Sequence, residues 1–206
     1  MDPVTRPQGR EGGTLGRLDD TLRRLARAML LVAGWGLLLL GMLVAVDVAA
    51  RNTIGRNIGG VDEIAGYIFA IGISWSLTEA FYARSHVRID FLYQKAPPGL
   101  RALLDVSSIL ALGFAAAFLA FSGWLVVSGS WGMSSRSASV LQVPLVIPQL
   151  LWFAGMLVFL AALLVSSLQA CLALAAGRHP ELAARFGIMS ASEEAQEALG
   201  AREEKA

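Results

Sequence analysis

The sequence is poor in charge, in cysteine and in histidine, and each shortage removes a class of function. Charged residues make up 16% of the 206-residue chain, against about 25% in an average soluble domain. They are also unevenly spread: only Arg136 interrupts the stretch between Asp105 and Arg178. A small soluble fold cannot bury uncharged runs of that length. Lys and Arg nearly balance Asp and Glu, leaving a net charge of +1, which argues against a face that neutralises nucleic-acid phosphates. The one cysteine, Cys171, sits in an apolar run, so an internal disulfide and a thiolate zinc site are excluded. The two histidines, His86 and His179, lie beside charged segments, which excludes a bis-histidine haem inside a bundle. What the chain does have is apolar surface, with 55% hydrophobic residues and a mean hydropathy of +0.58. It reads as an all-α integral membrane protein.

Residues 1–27 are polar. Their first part, rich in Pro and Gly, has the composition of a disordered leader. From Thr14 onward, Leu15, Leu18, Leu22, Leu25 and Met29 fall at helical spacing. Two readings fit that pattern: an amphipathic helix lying on the membrane surface, or a helical extension of the first span. That span covers about 28–50, since a crossing helix needs about 20 mostly apolar residues. Its apolar core exceeds the about 7–15 residues of a secretory signal, and the polar leader is long, so a removable signal is not expected.

Gly55, Gly59 and Gly60 mark a turn, and Asp62 is placed to cap a second helix spanning about 62–83. A polar loop follows, and Pro97-Pro98 suits the first turn of a third helix, with its span at about 105–129. Residues 130–147 read as a loop. The fourth span, 148–176, is about 43 Å long at 1.5 Å per residue. It exceeds a hydrocarbon core of about 30 Å, so it should tilt or protrude. A polar tail, 177–206, closes the chain. The expected fold is therefore four transmembrane helices. Placing both termini in the cytoplasm puts every Lys and Arg inside except Arg51, Arg56 and Arg136, which is the arrangement the positive-inside rule selects.

Ionisable residues in membrane spans are costly and become functional suspects. Asp47, Glu63 and Glu79 qualify, yet all three stand near span ends. Arg51 follows Asp47 by one helical turn, and the short turn can bring Asp47, Arg51 and Glu63 together. Glu63 opens the second helix, where the helix dipole favours a carboxylate. Glu79 precedes Arg84 by five residues. In the middle loop, His86, Arg88 and Asp90 resemble a base with its orienter, but catalysis also needs a nucleophile or metal in an enclosed pocket. A structural reading is preferred, with Arg101 and Asp105 paired at i, i+4 on the third helix. No phosphate-binding loop, metal-ligand spacing, cofactor motif or nucleophile elbow occurs. The tryptophans Trp35, Trp75, Trp124, Trp131 and Trp152 fit an interfacial belt. Ala116 and Ala120 leave room for a close helix neighbour.

Several spaced pieces form a recognisable order: Asp47-Val-Ala-Ala-Arg51, Gly60-Val-Asp-Glu63, His86-Val-Arg-Ile-Asp-Phe-Leu-Tyr93, Pro97-Pro-Gly-Leu-Arg101 with Asp105, and Ser137-Ala-Ser-Val-Leu-Gln-Val-Pro144. On a four-span chain this pattern resembles the small membrane subunit (DctQ-like) of tripartite ATP-independent periplasmic (TRAP) transporters, over roughly residues 28–175. The leader and acidic tail fall outside the resemblance. It implies a scaffold subunit in a bacterial inner membrane, without enzymatic activity or cofactor. Its implied partners are a large many-span permease subunit, which holds the substrate and sodium sites, and a periplasmic substrate-binding protein delivering an organic acid. Substrate-binding residues are then not expected in this chain. The residues Asp47, Arg51, Glu63, Glu79, His86, Arg88, Asp90, Arg101 and Asp105 become candidates for structural or subunit contacts. Two rivals remain, a self-sufficient small transporter or channel acting as an oligomer, and a membrane-embedded enzyme.

Overall fold

The computed structural model describes residues 13–56, 58–83 and 97–177. Four helices account for most of them: α1 (Thr14–Ile54), α2 (Val61–Tyr82), α3 (Pro98–Gly132) and α4 (Val146–Ala175). All four are long and apolar enough to cross a membrane. Among the described residues the one β feature is an isolated bridge between Arg136 and Pro144, inside the hairpin that joins α3 to α4.

The helical extension, and not a separate surface helix, is what α1 forms. It runs unbroken for 41 residues. No Gly or Pro interrupts residues 17–33, and Asp19, Ala26, Met29, Ala33, Leu40 and Asp47 form one buried stripe along its whole length. A single packing face gives the chain no reason to bend at the leader boundary. The helix stops at Gly55, whose φ of 68° is a left-handed cap that glycine adopts without a Cβ penalty.

The start of α2 differs from the expectation that Asp62 caps it. The cap residue is Gly60, at φ 90°, and Asp62 and Glu63 lie in the first helical turn. Gly60 is required twice over, because Leu141 of the hairpin fills the space where a Cβ would stand. Pro97 caps α3 and Pro98 opens it, as the missing N–H of proline permits.

The helices alternate in direction. The end of the bundle carrying the α1–α2 turn and the 133–145 hairpin is here called the turn end, and the opposite one the terminal end. α4 is the hub, packing against α1, α2 and α3, while α3 packs chiefly on α4. Three apolar clusters run down the α3–α4 seam, with Ala116 and Ala120 letting the two helices approach. α2 approaches α4 at Gly155, where a Cβ would lie 2.6 Å from Ser74 Oγ. Nearby, the Trp75 indole N–H donates to the Leu151 carbonyl at 2.8 Å. The outer faces are apolar, with Phe114, Phe118 and Phe121 exposed in a row on α3, as a lipid-facing helix requires.

Candidate functional site

Polar side chains gather at the two ends of the bundle. At the turn end, Asp47 lies on the buried stripe of α1 and is 4% exposed. Its Oδ2 accepts from Arg51 Nη2 at 3.0 Å, one turn along the same helix. Its Oδ1 accepts from the Ile58 backbone N–H at 2.5 Å. The carboxylate therefore clips the chain after α1 back against the helix, and a backbone N–H in that turn gains a charged acceptor.

Glu63 does not join that pair. Tyr67 and Ser139 each donate a hydroxyl to its carboxylate, one to each oxygen. Ser139 belongs to the hairpin between α3 and α4, so Glu63 fastens that hairpin to the first turn of α2. The trio of Asp47, Arg51 and Glu63 is thus split, because Tyr67 of α2 and Ser139 of the hairpin supply Glu63 with its hydroxyl donors. Within the hairpin, Ser139 Oγ also accepts from the Leu141 N–H at 3.1 Å, and Leu141 covers Gly60. One serine thereby orders both contacts with α2.

At the terminal end, Glu79 meets Arg27 of α1, with Arg27 Nε 3.7 Å from Glu79 Oε1. The other carboxylate oxygen, Oε2, is buried without a hydrogen-bond partner among the described residues. Arg84, the partner suggested by sequence proximity, lies outside the described residues, as do His86, Arg88 and Asp90. Arg101 and Asp105 stand one turn apart on α3, and Asp105 is buried.

Sequence reasoning missed Asp19. It counts there as one charge in a polar leader, yet it is 3% exposed. Arg23 Nε donates to its Oδ2 at 3.0 Å and the Tyr82 hydroxyl to its Oδ1 at 3.1 Å. The Arg23 guanidinium also lies over the Tyr82 ring, 4.1 Å from its centroid. A signal was present: Asp19 falls at helical spacing with Leu15, Leu22 and Ala26, on the face that α1 buries. Gln169 of α4 donates to the Leu15 carbonyl at 3.4 Å, which ties the start of α1 to the end of α4.

The chemistry of these groups is that of fasteners. Asp47, Glu63 and Asp19 each spend both oxygens on donors within the chain. Among the described residues no group of three His, Cys, Asp or Glu side chains gathers to hold a metal ion.

Comparison with known families gives one finding. The family model described as tripartite ATP-independent periplasmic transporters, DctQ component, matches residues 40–173. No curated protein and no solved structure matches the chain. The matched stretch begins in the middle of α1 and ends just before the close of α4, so it takes in the turn, the hairpin and the α2–α4 contact.

Proposed function

The chain belongs to the DctQ component family of tripartite ATP-independent periplasmic transporters, and on that premise we propose that it is the small scaffold subunit of a secondary-active importer. Its partners are a large many-span permease subunit and a periplasmic substrate-binding protein. The importer takes up organic acids and is coupled to sodium. Substrate and ion sites lie on the partner chains, and this chain, without enzymatic activity, supplies a membrane framework for the permease.

The observation that carries this reading is the family match across all four helices. The disposition of polar groups supports it. Carboxylates near the span ends act as internal fasteners, while the outer faces offer Leu, Val, Phe and Trp side chains to lipid or to another helix bundle. The apolar helices together with the asymmetry of basic residues favour a multi-pass protein of the bacterial inner membrane. Both termini and the loop 84–104 then face the cytoplasm, and 51–61 and 130–147 face the periplasm. In this reading residues 1–27 are a cytoplasmic leader, 28–176 the membrane domain and 177–206 a cytoplasmic tail. Asp47, Arg51, Glu63, Glu79, Arg101 and Asp105, with His86, Arg88 and Asp90 of the middle loop, serve structure or subunit contact.

The test is reconstitution. The tagged chain is expected to co-purify with a many-span permease encoded beside it. Proteoliposomes holding both, supplied with the binding protein, should take up substrate in a sodium gradient. Uptake by the chain alone would refute the scaffold reading and favour the self-sufficient oligomer.

A further inference from the structure

The charged residues at the turn end lie at one level of the bundle. Asp47 bonds to the Ile58 N–H just before α2, Glu63 to Ser139, and Leu141 covers Gly60, so the hairpin carrying Arg136 stands beside the α1–α2 turn. From that level the bilayer can be measured along α1. Arg27 precedes Asp47 by twenty residues, which is about 30 Å of helix and the thickness of a hydrocarbon core. Arg27 meets Glu79 of α2, so the two helices mark the same opposite edge.

α3 and α4 do not stop there. The close approach of Gly155 to Ser74 sets α4 beside α2, and five residues further along each helix Glu79 is level with Leu160. Phe159 packs with Ala116 of α3, which brings α3 to the same level. Beyond it α4 continues to Ala175, about 22 Å, and α3 to Asp105, about 16 Å. Neither carries a charge before those points. These stretches pack on each other through Ala102, Val106, Ile109 and Ala170. α1 covers a second side, where Gln169 donates to the Leu15 carbonyl. A third side is open. It exposes Leu103 and Leu110 of α3 with Leu164 and Leu168 of α4. Counted by helical phase from the seam residues, all four fall on one side of the α3–α4 seam. Cys171, also exposed, lies among them.

A lipid-facing surface is apolar because hydrocarbon surrounds it, but this face begins where the hydrocarbon ends. In water a contiguous leucine patch marks an interaction surface. The chain itself supplies an occupant. α4 ends at Ala175, and Gly177 turns the backbone with a φ of 68° at the far edge of the patch. The tail 178–206 lies outside the described residues, and its sequence has one apolar segment, next to the exit. Pro180 suits a first helical turn, and Leu182, Phe186 and Met189 follow at the spacing of one helix face. As a helix, residues 181–189 are about 14 Å long, close to the length by which α3 and α4 outrun the membrane. Beyond Ser190 the tail turns to Glu and Ala, with Leu199 its one large apolar residue.

We propose that residues 181–189 fold back along the open face of α3 and α4, with Leu182, Phe186 and Met189 covering the four leucines. The tail thereby caps the part of the bundle that stands out of the membrane, and Cys171 lies beneath it. This inference depends on the chain being in a membrane and not on its role in transport.

Cys171, the only cysteine, reports on the cover. The full chain, with any subunit that co-purifies, is placed in phospholipid nanodiscs, which leave both membrane faces open to a water-soluble fluorescein maleimide. Labelling at Cys171 is expected to be slow, and several-fold faster in the double variant Leu182→Asp with Phe186→Asp. Slow labelling in both would overturn the proposal by placing lipid or another subunit on the face. Fast labelling of the parent chain would overturn it by leaving the face bare. A second measurement does not depend on the double variant folding. With Phe186→Cys, mild oxidation should join position 186 to Cys171 within one chain, whereas Ser192→Cys should cross-link several-fold more slowly. Equal rates at 186 and 192 would overturn the fold-back in favour of a free tail, and a disulfide between two chains would overturn it in favour of a second copy on this face.

Discussion

Replacing Asp47 by alanine removes two interactions of different worth, and their separation tests how the α1–α2 turn is held. The first is the ion pair with Arg51, whose side chain is 58% exposed. With its cation in solvent and free to be hydrated, the pair contributes about 1 kcal/mol or less, although Asp47 itself is buried. The second is the bond from the Ile58 N–H at 2.5 Å. A hydrogen bond to a charged acceptor is worth about 1.5–3 kcal/mol. If Arg51 were the sole partner, removing it would strand a buried carboxylate, and Arg51→Ala would cost more than the double change. The Ile58 contact reverses that order. Arg51→Ala is expected to cost about 1 kcal/mol or less, and Asp47→Ala about 2–3 kcal/mol. The double variant should match Asp47→Ala, giving a coupling energy no larger than the ion pair itself. Asp47→Asn should fall between, since an amide oxygen still accepts from Ile58 without the charge. The assay is reversible unfolding in mixed micelles, followed by far-UV circular dichroism for all four variants. An Arg51→Ala loss equal to that of Asp47→Ala would refute the reasoning and make the ion pair the clip.

Gly155→Ala should destabilise the α2–α4 contact by about 1–3 kcal/mol as an overpacked site, since its Cβ would meet Ser74 at 2.6 Å. Gly34→Ala, where nothing lies within 4 Å, should be neutral or stabilising by up to about 1 kcal/mol, and the same unfolding assay reads both. Ser139→Ala should loosen the hairpin from α2 while leaving the helices intact, seen as faster hydrogen exchange over 133–145 without loss of helical circular dichroism. Glu79→Gln should leave the sodium dependence of uptake unchanged in vesicles holding the assembled complex; a changed Hill coefficient would place coupling chemistry in this chain. A periplasm-active reporter fused after Lys95 should be inactive, and activity there would invert the proposed topology.

How much of the fold was legible depended on how local each signal is. The four spans are read from run length alone, and the helix bounds follow: α3 opens at the Pro97-Pro98 pair and α1 stops at Gly55. The start of α2 was less legible. Asp62 has the side chain of a good cap, but the position is decided by Leu141, which reaches Gly60 from a hairpin far along the chain. The continuity of α1 through the leader was also open, because an amphipathic pattern serves equally for a surface helix and for one packed on a bundle. Asp19 turned that choice, since its partner Tyr82 lies at the end of another helix.

The candidate site divides in the same way. Asp47 with Arg51 is an i, i+4 pair on one helix, and spacing is enough to find it. The partners of Glu63 and Glu79 are not local. Glu63 takes a hydroxyl from Ser139 and Glu79 an arginine from α1. Each choice depends on how two helices are rotated and slid against each other, and one residue of shift turns a side chain by about 100°.

By itself the sequence determined that this is a membrane protein of four helices, because the bilayer is a ruler of nearly constant thickness and apolar length is a one-dimensional quantity. Its spaced motifs pointed to the family for the same reason, being order along a line. Tertiary structure alone decided what each buried carboxylate holds and which glycine must stay a glycine. Those are properties of register between helices, and register is set by the packing of side chains distant in the chain.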